Sequence, residues 1–448
     1  MRGSKVTEKI LIENGMVIDG SGDDPEVRSV LIEDGVITAL GQDADTKAGN
    51  AVRRVDASGK TVMPGLIDAH CHISFDEPSS NDELFFHRRE GLAAITAAYN
   101  ARKVLLAGVT SILDADCIFN VGPDLRDAIE GGLAEGPRMA VGGNALLTSV
   151  GGAAGTLIPD EGRRGYARIV RSRDEIVAEV RRQIKHGVDW IKVHVTGLVP
   201  RRRMKGELTV WTMDELRAVT DTAHDLGIPV VGHCRSAEST RDAARAGFDL
   251  ILHATFMDEE ALEAVAETGC PIAPTLTFQA NLMDWGDKVG ADPALKDIFR
   301  REIEGSAETL RRAYDAGVPL LCGSESGFAL TPYGDWHWRE MEVFHKYLGL
   351  SPMQAICCAT AEGERIFSGE KKVGRLAPDY LADVIVVDGD PLKNLAILGD
   401  RSKLAHVFLG GREVDLSRPQ PMRRPISGWR LSPFAHRILT HEVAAGKE

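Results

Sequence analysis

The chain has 448 residues, of which 43% are apolar, 27% charged and 6% aromatic; this is the composition of a globular enzyme and excludes a stapled mini-domain, a fibrous chain and a disordered one. Lys+Arg 53 against Asp+Glu 66 leaves a net charge of -13, which argues against a protein that neutralises nucleic-acid phosphates. The opening MRGSKVTEKI carries charges where an export signal has its apolar run, and no stretch approaches ~18 uninterrupted apolar residues, so no membrane partner and a cytoplasmic location are expected.

In chain order, residues 1–65 alternate apolar and polar positions between turn signals: ILIENG, MVIDGSG, VLIEDG, VITALG and TVMPG. They predict a small antiparallel β unit. Over 66–369 the texture changes to helix, glycine turn and short apolar strand, as in DEIVAEVRRQIKHG before VDWIKVHV and AETLRRAYDAG before VPLLCGS. Continuous apolar strands separated by amphipathic helices mean a parallel sheet buried on both faces. Periodicity alone leaves a doubly wound sheet and a closed (β/α)8 barrel equally open.

Residues 370–416 are strand-rich again, in LADVIVVDGDP and LAHVFLGGREV. Each terminal patch is too short to bury a core, so the two are expected to join into one composite β domain. Residues 417–448 are Pro- and Arg-rich and read as an appendage. The seven cysteines (Cys71, Cys117, Cys234, Cys270, Cys322, Cys357, Cys358) are scattered through apolar runs and read as reduced. The glycine-rich run 142–155 lacks a phosphate-loop pattern and is expected to be a mobile loop over a site; no nucleotide seat is visible.

Chemistry collects at the carboxyl ends of the strands. LIDAHCHI ends in His70 and His72, two apart and so expected to point the same way, with Cys71 opposite. WIKVHV sets Lys192 and His194 in one register, VVGHCRS supplies His233, LILHAT supplies His253, and LLCGSESG ends in Glu325. These strand-end histidines, a lysine and a carboxylate around one mouth are donors suited to zinc or a neighbouring divalent ion. Lys192 is the unusual member, because a lone buried ammonium is costly; carboxylation by CO2 would make it a bridging anion, and a salt bridge to a nearby carboxylate is the plainer reading.

With these residues in view, the sequence resembles the amidohydrolase superfamily. VMPGLIDAHCHI, IKVHVTG, GHC, LILHATF and GSESG match that family's strand ends in order, and LADVIVVDGDP matches its returning β domain. The likeness runs to about Val414. It implies a (β/α)8 TIM barrel (66–369) with a composite β-sandwich domain built from both chain ends (1–65 and 370–416). It also implies two divalent metal ions, zinc by preference with Co, Mn or Fe as alternatives. His70 and His72 would hold one metal, carboxylated Lys192 would bridge, and His233 and His253 would hold the other. The bridging hydroxide, whose pKa falls from ~16 towards ~7 on metal binding, would attack a carbonyl. Glu325 would take its proton and deliver it to the leaving amine, and His194 would stabilise the oxyanion or steady the ligands.

Within the superfamily the chain is most similar to the branch of imidazolonepropionase-like proteins, Xaa-Pro dipeptidases, ochratoxin-hydrolysing amidases, and phenylurea and thiocarbamate hydrolases. It departs from that pattern three times: Glu325 replaces the strand-eight aspartate, Ala153 stands where peptidase relatives carry a histidine, and Arg235 replaces the second histidine of an HxHG motif. A small-molecule amide, urea or carbamate is therefore the expected substrate. An Xaa-Pro-type dipeptidase or N-acyl amino acid hydrolase is the alternative, with Arg201, Arg202, Arg203 or Arg235 gripping a carboxylate. An inactive barrel serving as a binding module is the alternative of another class. Arg235 is expected to orient substrate or pair with Glu238, and Tyr333, Trp336 and Trp338 are expected to form an apolar substrate wall. A homo-oligomer is also expected.

Overall fold

The computed structural model describes residues 9–421 apart from 51, 81–82, 84–88, 153–157, 163–164, 199–206 and 370. The amino-terminal runs form strands β1 (Ile10–Val17), β2 (Glu26–Glu33) and β3 (Val36–Leu40), helix α1 (Gly41–Ala48), then β4 (Arg53–Asp56) and β5 (Thr61–Pro64). The alternating region gives β6 (Leu66–Cys71), α2 (Glu90–Leu105), β7 (Val109–Asp114), α3 (Val121–Glu130), β8 (Arg138–Val141), β9 (Leu146–Leu147), β10 (Arg168–Ile169), α4 (Arg173–Lys185) and β11 (Ile191–His194). It continues through the β12 (Thr196–Leu198) and β13 (Leu208–Thr209) pair, α5 (Met213–His224), β14 (Val230–Cys234), α6 (Ala237–Ala246), β15 (Leu250–His253), α7 (Glu259–Thr268) and β16 (Ile272–Ala273). Helices α8 (Thr277–Val289), α9 (Pro293–Asp315), α10 (Arg339–Val343) and α11 (Pro352–Cys358) precede β17 (Val384–Val387), β18 (Leu404–Leu409) and β19 (Arg412–Glu413).

Helix starts follow their caps. Thr212 with Glu215 and Ser236 with Ser239 form capping boxes that open α5 and α6, satisfying amide hydrogens that the first turn leaves unpaired. Gly247 closes α6 with a left-handed φ of 89°, a conformation that glycine adopts without penalty.

Strands from both chain ends enter one eight-stranded sheet in the order β19-β18-β17-β5-β1-β2-β3, with β4 on β1. The antiparallel expectation for the amino-terminal unit holds for β1–β2 and β2–β3 but not throughout, since β4 and β5 pair with β1 in parallel. The crossover through α1 returns the chain in the direction of β1, which a tight hairpin would not do. One face of the sheet buries Ile10, Ile32, Val62, Val384 and Phe408, and the other packs Leu11 and Leu31 against Ala44 and Ala48 of α1.

The alternating region closes into a ring. Parallel pairing joins β6 to β7 and β8, and β11 to β14, β15 and β16. Bridges Gly142–Trp190 and Ile272–Leu320 link these sets to each other and to an eighth extended run at 320–326, which returns to β6 through Cys71–Ser326. Backbone bonds from Ala69 N to Cys322 O (2.8 Å), Glu325 N to His70 O (2.7 Å) and His72 N to Ser326 O (2.7 Å) complete the closure. Eight parallel staves with helices between them make a TIM barrel, which resolves the choice that periodicity left open. The chain up to Val414 forms one compact unit holding both sheet and barrel; of the segment after it, residues 415–421 are described. No helix among the described residues is long and apolar enough to cross a membrane.

Candidate metal centre

The stave ends gather the predicted donors. His70, His72 and Glu325 place ligand atoms within 4.8 Å of one another. His253 Nε2 lies 3.0 Å from His233 Nδ1, and the rings of His70 and His253 are 5.3 Å apart. Lys192, 1% exposed, and His194, 4% exposed, stand on β11 beside them.

Two local departures from strand geometry help to aim these groups. Ala69 lies in the apolar cluster with Leu113 and Leu252, yet the adjacent His70 joins the histidines, so strict alternation is broken in β6. The pairing with β7 slips between Asp68 and Cys71, the local rearrangement that a bulge produces. Leu252 and His253 make a second adjacent pair, and a left-handed φ of 73° at His253 turns its ring back inward. Thr275 and Glu325 are also left-handed, with φ of 56° and 55°; such conformations cost about 1–3 kcal/mol each and persist at functional sites.

The donors fit a cation. Three imidazoles are fastened through one nitrogen: His72 Nδ1 forms an ion pair with Asp116 Oδ1 at 2.6 Å, while His70 Nδ1 and Thr275 Oγ1 at 3.0 Å and His233 Nε2 and Glu207 Oε2 at 3.2 Å are hydrogen-bonded. An outer hydrogen bond of this kind sets the tautomer of a metal-ligating histidine. His70 Nε2 is buried with no hydrogen-bond partner, an arrangement that calls for one. Burial holds His70 and His253 well below the usual histidine range, with the Lys192 charge adding to it at His70 and the His233 charge at His253. Burial likewise takes His233 down to about 4. Neutral imidazole is the ligating form. At His72 burial also pushes down, but the Asp116 carboxylate outweighs it and the pKa rises.

Burial lowers the Lys192 pKa, against the opposing charges of Asp116 and Glu325. The plainer reading of this lysine, a salt bridge, finds no counterpart: among the described residues it makes no ion pair. Burial raises Glu325, with His72 and Arg235 pulling the other way.

Other residues sit differently from expectation. Arg235 does not pair with Glu238; its Nη2 lies 2.6 Å from both carboxylate oxygens of Glu302, and its Nε 3.4 Å from Glu207. Tyr333 is no part of an open wall, being 1% exposed, with its hydroxyl donating to the His72 carbonyl at 2.5 Å. Trp336 lies tilted against Trp285 of α8 with ring centroids 4.7 Å apart, and Trp338 packs over Gly399. The aromatic rings nearest the donors are instead Phe75, parallel to His72 at 4.3 Å, and Phe328 at 5.9 Å, extended by Phe278 and Tyr166. His194 Nε2 faces Asp116 Oδ2 at 3.3 Å, and Gly152 comes so close to the ring that a Cβ there would lie 3.0 Å from Nδ1. Ala153, Arg201, Arg202 and Arg203 lie outside the described residues, as does the appendage beyond 421.

Sequence reasoning missed Asp116, Glu207 and a buried run behind the centre. In that run Asp68 Oδ1 accepts from the amides of His70 and Ser324, and Asp68 Oδ2 meets His337 Nδ1 at 2.5 Å and the Ser324 hydroxyl. Asp116 was within reach, because VTSILDADC ends its stave in carboxylates as the other staves end in histidines. Nothing in the local pattern marks Glu207 or His337.

Comparison with known proteins agrees with this architecture. The profile described as "Amidohydrolase family" matches residues 61–414. An ochratoxinase of Aspergillus niger is 26% identical over 441 residues, covering 91% of this chain and 86% of its own. The crystal structure of a Xaa-Pro dipeptidase with bound methionine is 28% identical at TM-score 0.78, covering 91% of this chain and 100% of that one. Phenylurea hydrolase B, 21% identical, shares the fold at TM-score 0.74 over 92% of this chain and 97% of its own.

Proposed function

Because the chain belongs to the amidohydrolase family and is thereby a hydrolase acting on carbon–nitrogen bonds, we propose that it cleaves small non-peptide amides, ureas or carbamates. The observation that carries this reading is the aromatic group of Phe75, Phe328 and Phe278 packed against His72. Such a surface accepts an aryl or alkyl group beside the donors. His70 and His72 would hold one ion, His233 and His253 the other, and Lys192, carboxylated by CO2, would bridge. The lack of an ion pair to Lys192 among the described residues supports that modification. Nitrogen and oxygen donors suit zinc.

When bound, the ions would supply a water activated near neutral pH. Glu325, beside His70 and His72, would accept a proton at its carboxylate and return it to the leaving nitrogen. His194, facing Asp116, is assigned the steadying of the centre rather than the oxyanion. We read the composite sheet as the β-sandwich partner of the barrel. The seven free cysteines support a reducing, cytoplasmic setting.

The dipeptidase similarity favours an Xaa-Pro-type or N-acyl amino acid substrate as the second reading. The test is metal per chain by plasma mass spectrometry on wild type, Lys192→Ala and Glu325→Ala, followed by a panel of arylureas, anilides, carbamates and Xaa-Pro dipeptides. About two ions in wild type, fewer in the lysine variant, and turnover of neutral substrates are expected. One ion would mean a mononuclear site. No metal and no turnover would leave an inactive barrel, whereas turnover that is lost in His70→Ala would exclude it.

A further inference from the structure

Beside the donors Arg235 and Glu302 form a charged pair that ligation does not explain. Arg235 follows His233 by two residues. Its guanidinium lies between Glu302, met by Nη2 at 2.6 Å on both oxygens, and Glu207, met by Nε at 3.4 Å. Glu302, on α9, is 5% exposed and also accepts from Gln279 Nε2 at 3.1 Å. Gln279 adjoins Phe278, the α8 member of the aromatic group near His72. Glu207 in turn meets Thr196 Oγ1 at 2.9 Å and His233 Nε2 at 3.2 Å.

One guanidinium between two carboxylates carries a net negative charge. Drawing Arg235 away to a ligand would leave Glu302 buried and unpaired, which is strongly unfavourable. The cation at the peptidase-like position is therefore not free to grip a substrate carboxylate, and the excess negative charge repels one.

We propose that Glu302 is a specificity-determining residue: by holding Arg235 it makes the site refuse carbon–nitrogen substrates that carry a free carboxylate and admit uncharged ones with an apolar group. This rests on the amide, urea or carbamate reading and names what that site excludes. The probes are N-acetylphenylalanine and N-acetylphenethylamine, which share an amide and a ring and differ in the carboxylate. Their dissociation constants are measured by calorimetry on the metal-loaded full chain, or as KM where they are turned over.

Wild type should bind the neutral member at least about tenfold tighter, and Glu302→Gln, by releasing Arg235, should move the ratio about tenfold or more towards the carboxylate. Adding Arg235→Met should cancel that gain. Should Glu302→Gln alone not fold, the double variant Glu302→Gln/Arg235→Met decides: it removes one charge of each sign and should leave carboxylate binding unchanged relative to neutral, whereas a selective loss would show that Arg235 does grip substrate. Equal binding in wild type, an unmoved ratio in folded Glu302→Gln, or no binding of the neutral member overturns the proposal. Hydrolysis of neither compound nor of any panel substrate, with the binding preference intact, would overturn the hydrolytic reading and leave this one standing.

Discussion

Replacing Asp116 by Asn should loosen the metal centre more than replacing Glu207 by Gln. Both carboxylates contact the imidazole of a proposed ligand from outside, and removing such a partner typically weakens metal affinity about 10–100-fold, or about 1.4–2.7 kcal/mol. The structure ranks the two. Asp116 is 2% exposed, and its carboxylate forms an ion pair with His72 Nδ1 at 2.6 Å while facing His194 at 3.3 Å; buried opposite charges that close attract strongly. Glu207 is more exposed, stands 3.2 Å from His233, and is shared with Thr196 and Arg235. The Asn variant should therefore fall near the hundredfold end and the Gln variant near tenfold. Its amide can also turn its NH2 towards His72, favouring the tautomer whose N–H blocks the ligating position. Zinc affinity is measured by competition with a chromophoric chelator. Wild-type affinity in Asp116→Asn, or a larger loss in Glu207→Gln, would refute the ranking.

Gly323→Ala should destabilise the chain, because a Cβ there would lie 2.8 Å from His70 Cβ and 3.2 Å from His70 N and Thr275 Oγ1. Overpacking of this kind costs about 1–3 kcal/mol, so a lower Tm with reduced metal content is expected, and an unchanged melt would show that β6 yields freely. Glu340 accepts from Leu276 N at 2.9 Å and from the Thr277 hydroxyl at 2.5 Å, and burial raises its pKa from 4.5 to about 7. It therefore binds more protons folded than unfolded across that window, and stability falls as pH climbs from 4.5 through 7 by about 3 kcal/mol in all. The Tm of wild type relative to Glu340→Gln should drop by about 3–4 °C between roughly pH 5 and pH 8; a gap constant with pH would count against it. Phe328→Ala should raise KM for aryl substrates about 2–10-fold with little change in kcat, and a pure kcat effect would place the ring elsewhere than against the substrate.

The donor set was legible because strand ends are a local property. A short apolar run followed by histidine, or by glycine and a carboxylate, can be read from a few residues, and closure of the barrel then brings those ends to one mouth. That is why His70, His72, Lys192, His233, His253 and Glu325 could be named before any coordinates. The aromatic wall could not. Tryptophans in TPYGDWHW have the right chemistry, but Trp336 is drawn to Trp285 and Trp338 to Gly399, while Phe75 and Phe328 reach His72 from different staves. The partner of Arg235 was sought three residues away, at Glu238, and lies on a helix 67 residues further along.

Sequence by itself determined the alternating α/β texture, the two terminal β patches and which residues are candidate donors, because period, apolar runs and capping residues act over one element at a time. Tertiary structure decided what each donor is fastened to: Asp116 on His72, Glu207 on His233, and Asp68 between His70 and His337 across 269 positions. It also decided that Arg235 is held rather than offered. These are contacts between elements that only barrel closure makes neighbours, and electrostatics in a buried site depends on which neighbours those are.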